Sequence, residues 1–297
     1  MKALAAVLAA QLVLGGALIA LAATDNLPFT DGESDAAPAP RPRVDRFDSK
    51  AAFRLLREQV ALGPRPAGSS ASRRLAARLR RLLPNGSFQA IPRHPGLRNV
   101  VGRVRGRSRR YVVVGAHYDT KDIPGFVGAN DGASGTATVV QLARQLRGKR
   151  LPKTLVFVLF DGEESPGEAE DSEFLEKGLR GSKVAAVRYA RAEAMVLLDF
   201  VGDRRLQIPR EELSNRRLWS RLRAAARRVG VARTFPPESS GAVYDDHVPF
   251  MRRGVPSIDL IDFDFPCFHR NCDNLSAVSE RSLDRVGETV YELLASL

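Results

Sequence analysis

The sequence predicts an α/β protein: a single domain with a central, twisted, mostly parallel mixed sheet flanked by helices on both faces. Three observations lead there. Apolar β-type runs alternate along the chain with stretches of helical period, the pattern of a parallel sheet built from crossover units. Two of those runs, Leu-Val-Phe-Val-Leu-Phe and Ala-Met-Val-Leu-Leu, are apolar throughout, as expected of strands covered on both faces. The length of 297 residues and the 44% hydrophobic content suit one large core better than two small ones.

The elements follow in order. Residues 1–23 start with Lys2 and run apolar apart from Gln11 and two glycines. They read as a signal peptide, with a small-x-small cleavage site at Ala20-Leu21-Ala22, or as a retained anchor, being just long enough to span a bilayer. Both alternatives predict an exported body, secreted or held at the outer face of the cytoplasmic membrane. Residues 24–44 hold Pro, Asp, Ala and Gly without apolar period, so a flexible spacer is expected, with the folded domain over 45–297. A helix over 47–62, capped by Asp48 or Ser49, ends at Gly63-Pro64-Arg65-Pro66. A second, Arg-rich helix spans 69–83, and Pro84-Asn85-Gly86 turns into a strand at 88–91. Strands at 100–104 and 111–116 are expected to be joined by a basic hairpin, 105–110. There follow a helix (133–146), a strand (154–160), a partly helical stretch (174–190), a strand (194–200), an amphipathic helix (213–229), a short helix (246–253), the last core strand (257–261) and a closing helix (282–294).

The net charge of +12 comes from seven Lys and 39 Arg against 34 acids. A nucleic-acid binder concentrates its cations and interleaves aromatics. Here the Arg are spread along amphipathic helices, which indicates solvated faces with weak attraction to anionic surfaces and no nucleic-acid partner. The two cysteines, Cys267 and Cys272, invite a disulfide in an exported protein; it would lock the loop around His269.

Five residues of metal-ligating type punctuate this framework: His117 in Gly-Ala-His-Tyr-Asp, Asp131 in Gly-Ala-Asn-Asp-Gly, Glu164 in Phe-Asp-Gly-Glu-Glu, Asp199 in Leu-Leu-Asp-Phe and His269 in Cys-Phe-His-Arg-Asn-Cys. Imidazole nitrogen and carboxylate oxygen are the donors zinc takes in hydrolytic sites. Ligands at the carboxyl ends of neighbouring strands converge on one crevice. Taken singly the motifs are weak. His117 after a strand is as readily structural, though Asp119 could orient its ring, and Asp131 could be an ordinary N-cap. Glu163-Glu164 is a costly pair after a buried strand unless something cationic meets it; one carboxylate can bind metal while Glu163 acts as general base. In Tyr-Asp-Asp-His-Val-Pro-Phe, Asp246 could cap the short helix, while Asp245 and His247 could face the pocket, His247 in a substrate or supporting role. His94 lies in a turn without a motif.

In order, Gly-Ala-His-Tyr-Asp, Gly-Ala-Asn-Asp-Gly-Ala-Ser-Gly, Phe-Asp-Gly-Glu-Glu, Leu-Leu-Asp, Asp-Asp-His-Val-Pro-Phe, Gly-Val-Pro and the late His resemble the zinc exopeptidase family, from about residue 99 to the C-terminus. That family holds bacterial aminopeptidases and animal-type glutaminyl-peptide cyclotransferases. The aminopeptidase branch implies two zincs bridged by Asp131, one with His117 and Asp199, the other with Glu164 and His269, and Glu163 as base. The cyclotransferase branch implies one zinc on Asp131, Glu164 and His269, with Glu163, Asp199 and Asp245 as an acidic proton network. Asp245 and the Ile-Asp-Phe-Asp-Phe run before His269 are similar to the cyclotransferase branch. Phe268 stands where that branch usually carries Trp, and the segment after Glu164 lacks an aromatic, which implies a different pocket. The resemblance also implies a cis peptide after Asp131. The expected substrates are peptide or protein N-termini and the expected state a monomer. A catalytically dead, membrane-tethered binding domain would have lost one of the five donors, and none is lost.

Overall fold

A computed structural model describes residues 40–167 and 173–297. The expected targeting segment, 1–23, and residues 24–39 of the expected spacer lie outside the described residues. Among the described residues, no helix is long and apolar enough to cross a membrane.

The chain first forms α1 (Ser49–Val60) and α2 (Ser70–Leu82). Asp48 caps α1 by accepting the Ala51 N–H at 2.8 Å, as expected, and Ser69, expected as the first residue of α2, is its cap, accepting the Ser72 N–H at 3.0 Å. Next come β1 (Ser87–Ala90), β2 (Arg98–Val104), β3 (Ser108–His117), α3 (Ala133–Leu146) and β4 (Lys153–Phe160). The partly helical stretch resolves into α4 (Phe174–Lys177) and α5 (Arg180–Arg188), followed by β5 (Ala194–Asp199). Helix α6 (Arg216–Val229), capped by Asn215 and stopped by Gly230, precedes α7 (His247–Met251), β6 (Ser257–Ile261) and α8 (Glu280–Ser296).

The six strands form one mixed sheet in the order β1-β2-β4-β3-β5-β6. β4, β3, β5 and β6 are mutually parallel, and β1 and β2 complete one edge antiparallel. This corrects the expected β2–β3 hairpin. β4 lies between those two strands, parallel to β3 and antiparallel to β2. The reason is burial: β4 is buried along nearly its whole length, whereas β2 alternates buried with half-exposed or exposed positions, so β4 takes the centre and β2 moves outward.

Alternate side chains of each strand feed two cores. Val112, Val114, Leu155, Phe157, Val196 and Leu198 pack on one face with residues of α1, α2, α3, α6 and α8. Val113, Val156, Val158, Met195 and Leu197 pack on the other with Ala185, Ala186 and Tyr189 around α5 and Phe250 of α7. Helices on both faces leave the carboxyl ends of four parallel strands open at one edge, where ligand crevices form in such sheets.

Candidate metal centre

Four of the donors are placed at or near element ends, and His269 lies in the loop between β6 and α8. His117 closes β3 and Asp199 closes β5. Glu163 and Glu164 follow Phe160, the last residue of β4. Asp131 immediately precedes Gly132, which occupies the N-cap of α3, so Asp131 itself is not the cap. The peptide bonds of the described residues are all trans, against the expected cis bond after Asp131. The turn is made instead by Gly132 at φ 79°. A Cβ there would lie 2.7 Å from the Asp119 carbonyl and 3.1 Å from the His117 ring, so glycine is required by contact as well as by φ.

His117 Nε2 lies 3.1 Å from Asp131 Oδ1 and 3.3 Å from Asp199 Oδ1. His269 Nε2 lies 3.6 Å from Asp131 Oδ2 and 3.3 Å from Glu164 Oε1. Asp131 thus turns one oxygen to each imidazole. The donors form two groups that share it, His117–Asp131–Asp199 and Asp131–Glu164–His269, each with its ligand atoms within 4.8 Å of one another. Carboxylates at this density, with Asp131 Oδ2 lacking a hydrogen-bond partner, are the environment a divalent cation relieves, and the nitrogen-and-oxygen donor set fits zinc.

The supports are specific. Asp119 accepts the backbone N–H groups of Glu163 and Glu164 at 3.2 and 3.3 Å and stands 3.8 Å from His117 Nδ1. One acid therefore fixes both a ring and the carboxylate turn. His269 sits on the loop closed by the Cys267–Cys272 disulfide, whose Cα atoms are 5.4 Å apart. Phe268 stacks on it at 3.9 Å and Phe126 meets it edge-on at 6.1 Å. His269 (φ 50°) and Phe200 (φ 44°) adopt left-handed backbone, unusual for such side chains and concentrated at functional sites.

Burial governs the electrostatics. It pushes the Glu163 carboxyl well above the usual carboxylate range, with Glu164 adding repulsion. It pushes Asp131 up to about 6, again with Glu164 contributing, and Asp245 up to about 6, with Asp199 contributing. Burial also acts against the charged form of Glu164, but contact with His269 outweighs it and holds that carboxyl below its usual value. Desolvation likewise opposes the His117 cation, yet Asp199, Asp119 and Asp131 hold it well above its usual value.

A cleft of about 410 Å³ opens over the centre, lined by Asp131, Glu163, Glu164, Asp199, Asp245 and His269 on its polar side and by Phe174, Phe200, Phe263 and Phe268 on its apolar side. Phe174 of α4 supplies an aromatic wall that the polar segment after Glu164 did not suggest. Of the residues of the Asp-Asp-His motif, Asp245 lines the cleft. His247 does not: it is fully buried, 3.4 Å from Glu211 and 3.7 Å from Asp259. Asp246 occupies the N-cap position of α7 without a side-chain cap bond. His94 is exposed in its turn.

Two buried residues beneath the centre carry no sequence motif. Asp273 accepts the N–H groups of Asn130 at 2.7 Å and Asp131 at 3.0 Å, fixing the ligand's backbone. Arg65, fully buried, donates to the carbonyls of Gln59, Gly63, Val127 and Gly128. Burial lowers its pKa to about 10, although Asp131, Asp273 and Asp119 favour its charge. Asp273 follows His269 by four residues beside Cys272, and Arg65 lies between two prolines. Those positions are the only local signals either residue offers.

The model of "Peptidase family M28" matches residues 99–294. The glutaminyl-peptide cyclotransferase of Drosophila melanogaster is 29% identical over 221 residues, covering 63% of this chain and 61% of that protein. The chain therefore spans less than two thirds of the length of such relatives. Among solved structures, a glutaminyl cyclase of Porphyromonas gingivalis superposes with a TM-score of 0.75 at 29% identity, over 85% of this chain and 99% of that one. A leucine aminopeptidase precursor of Bacteroides thetaiotaomicron superposes with a TM-score of 0.77 at 25% identity, over 86% and 99%.

Proposed function

The chain belongs to peptidase family M28, and from that premise we propose that it is a zinc-dependent glutaminyl-peptide cyclotransferase, converting N-terminal Gln of peptides to pyroglutamate with release of ammonia. The observation that carries this reading is the carboxylate cluster beside the candidate base. Asp245 and Asp199 line the same cleft as Glu163, and both Glu163 and Asp245 have raised proton affinity. Cyclisation consumes no water. It needs a proton taken from one nitrogen and returned to another, and a water-poor cluster of carboxylic acids supplies that. The cyclotransferase and cyclase relatives support the same choice.

Asp131, Glu164 and His269 are the residues that would hold zinc, which when bound supplies Lewis-acid polarisation of the Gln γ-carbonyl. Glu163 accepts a proton from the substrate amine as the nitrogen attacks the carbonyl carbon of the side-chain carboxamide. The carboxamide C–N bond then breaks, and Glu163 returns the proton to the departing nitrogen, which leaves as ammonia. Asp199 and Asp245 keep that proton within the cluster. The apolar wall of Phe174, Phe200, Phe263 and Phe268 excludes water and receives the side chain that follows Gln.

One observation favours a second reading, a two-zinc aminopeptidase: the second donor group, His117–Asp131–Asp199, shares Asp131 with the first. The two readings differ in product. On Gln-peptides the first releases ammonia and no amino acid, and on Leu- or Ala-anilides it is silent. Free amino acids from Leu- or Ala-peptides, with Gln-peptides uncyclised, would sink the cyclotransferase reading. We also propose that residues 1–23 export the chain or anchor it, that residues 24–44 are a spacer, and that the body, 45–297, works as a monomer outside the cytoplasm. The Cys267–Cys272 disulfide accords with an oxidising compartment.

A further inference from the structure

Folding gathers part of the arginine excess that is scattered in the sequence. Residues 77–88, 101–110 and 144–153 contain thirteen Lys and Arg and no Asp or Glu. They are the C-terminal half of α2 with its turn into β1, the end of β2 with its connection into β3, and the end of α3 with its loop into β4. All three meet at one end of the sheet, where Val104 pairs with Leu155 and Ser108 with Lys153. Two adjoining hollows open there, of about 360 and 480 Å³. They share Arg81 and Arg147; Arg103 and Arg105 line the first and Arg144 the second. All five arginines are exposed. Among the described residues, the ion pairs of these segments are Arg78 with Glu58 at 3.3 Å, Arg110 with Glu193 at 2.8 Å, and Lys153 with Glu193. None reaches the arginines of the hollows.

This end is opposite the cleft. β3 begins at Ser108 beside the hollows and ends at His117 in the candidate metal centre, a span of roughly 30 Å for its ten residues at about 3.3 Å each.

We propose that this arginine face docks on an anionic phospholipid surface, with lipid phosphates entering the two hollows and the catalytic cleft turned away to solution. Arg presents a planar fork that matches phosphate and is weakly hydrated, which suits interfacial contact. No aromatic residue lines either hollow, so the base-stacking platform that single-stranded nucleic acid requires is missing. Cations near an anionic leaflet add attraction charge by charge within a Debye length. The inference is independent of the reaction assigned to the cleft.

The test is sedimentation of the full chain with vesicles of phosphatidylcholine alone and of phosphatidylcholine with about a third phosphatidylglycerol, the anionic lipid supplying the field. The neutral arm absorbs any partition by the apolar N-terminal segment. Binding should be at least about tenfold tighter to the anionic vesicles and should fall with salt. It should drop to the neutral level in R81E/R103E/R105E/R147E, and also in the corresponding Gln variant, which guards against misfolding by charge reversal. Reversal of the same number of charges at Arg216, Arg217, Arg227 and Arg233, around α6, should leave it in place. Equal binding to both vesicles, or equal loss from the two reversals, overturns the proposal. Tighter binding to duplex DNA than to anionic vesicles, lost in the same quadruple variant, overturns it in favour of nucleic acid.

Discussion

The two halves of the centre, either side of Asp131, are built differently. His117 and Asp199 are the last residues of adjacent parallel strands, and their side chains are 3% and 7% exposed. Glu164 and His269 lie on loops, and the His269 side chain is 22% exposed. The backbone of the strand-end half is held by the sheet itself, and Asp119 stands by the His117 ring as well as under the carboxylate turn. The loop half is held by added devices: Asp119 beneath the carboxylate turn, and the disulfide and Phe268 around His269. A donor pair set by strands is rigid whether or not it binds metal. A pair on loops needs dedicated restraint to be preorganised, and such restraint indicates a position that must be accurate for chemistry. On the proposed cyclotransferase reading, the loop half with Asp131 would hold the metal, and Asp199 on the strand half would serve the proton cluster.

The largest expected effect is at Asp245. Asp245→Ala should abolish Gln cyclisation while zinc content is unchanged, as followed by ammonia release and metal analysis of the same sample. Residual cyclisation within a few fold of the wild type would remove Asp245 from the cluster's work. At Glu163, the candidate base, Glu163→Gln should lower kcat by at least about a hundredfold with metal retained. Loss of metal in that variant would make Glu163 a ligand and blur the distinction between the halves.

Arg65 holds the chain just before Asp131 to the end of α1, so its loss should act on stability. Arg65→Met leaves the Val127 and Gly128 carbonyls without their donor and removes a buried guanidinium whose charge Asp131, Asp273 and Asp119 favour. The expected cost is about 3–5 kcal/mol in urea unfolding, by analogy with broken buried charge networks. A shift below about 1 kcal/mol, the range of a surface pair, would show that the acids are neutralised from elsewhere. The smallest effect should come from the disulfide. Closing a loop with a sequence separation of five contributes about 2 kcal/mol in the chain-entropy account. Cys267→Ser with Cys272→Ser should lose that much and weaken zinc binding through the loop half, leaving His117 and Asp199 in place. Unchanged zinc affinity would detach the disulfide from the centre.

The sequence made one half of this architecture legible more readily than the other. Strand ends are visible because an apolar run stops at a polar donor, as at Leu-Leu-Asp before Phe200 and Val-Gly-Ala-His before Tyr118. The first helix start was legible from Asp48, whose cap is local. The pairing of β2 with β4 was not, because neighbours in the chain need not be neighbours in the sheet, and two basic-linked strands resemble a hairpin. Arg65 and Asp273 were missed for the same reason: each acts across a long stretch of chain, on Val127 and Gly128 and on Asn130 and Asp131, and neither sits in a periodic pattern. His247 was drawn toward the pocket by its motif, yet it turns inward because Glu211 and Asp259 receive it. The arginine face likewise exists only after folding brings three acid-free segments together.

The division of labour between the halves is tested most directly by counting zinc. Native mass spectrometry of the zinc-loaded full chain should give one ion per chain, still one in His117→Ala, and none in His269→Ala. Two ions in the wild type, falling to one in each variant, would contradict the account and assign both halves to metal.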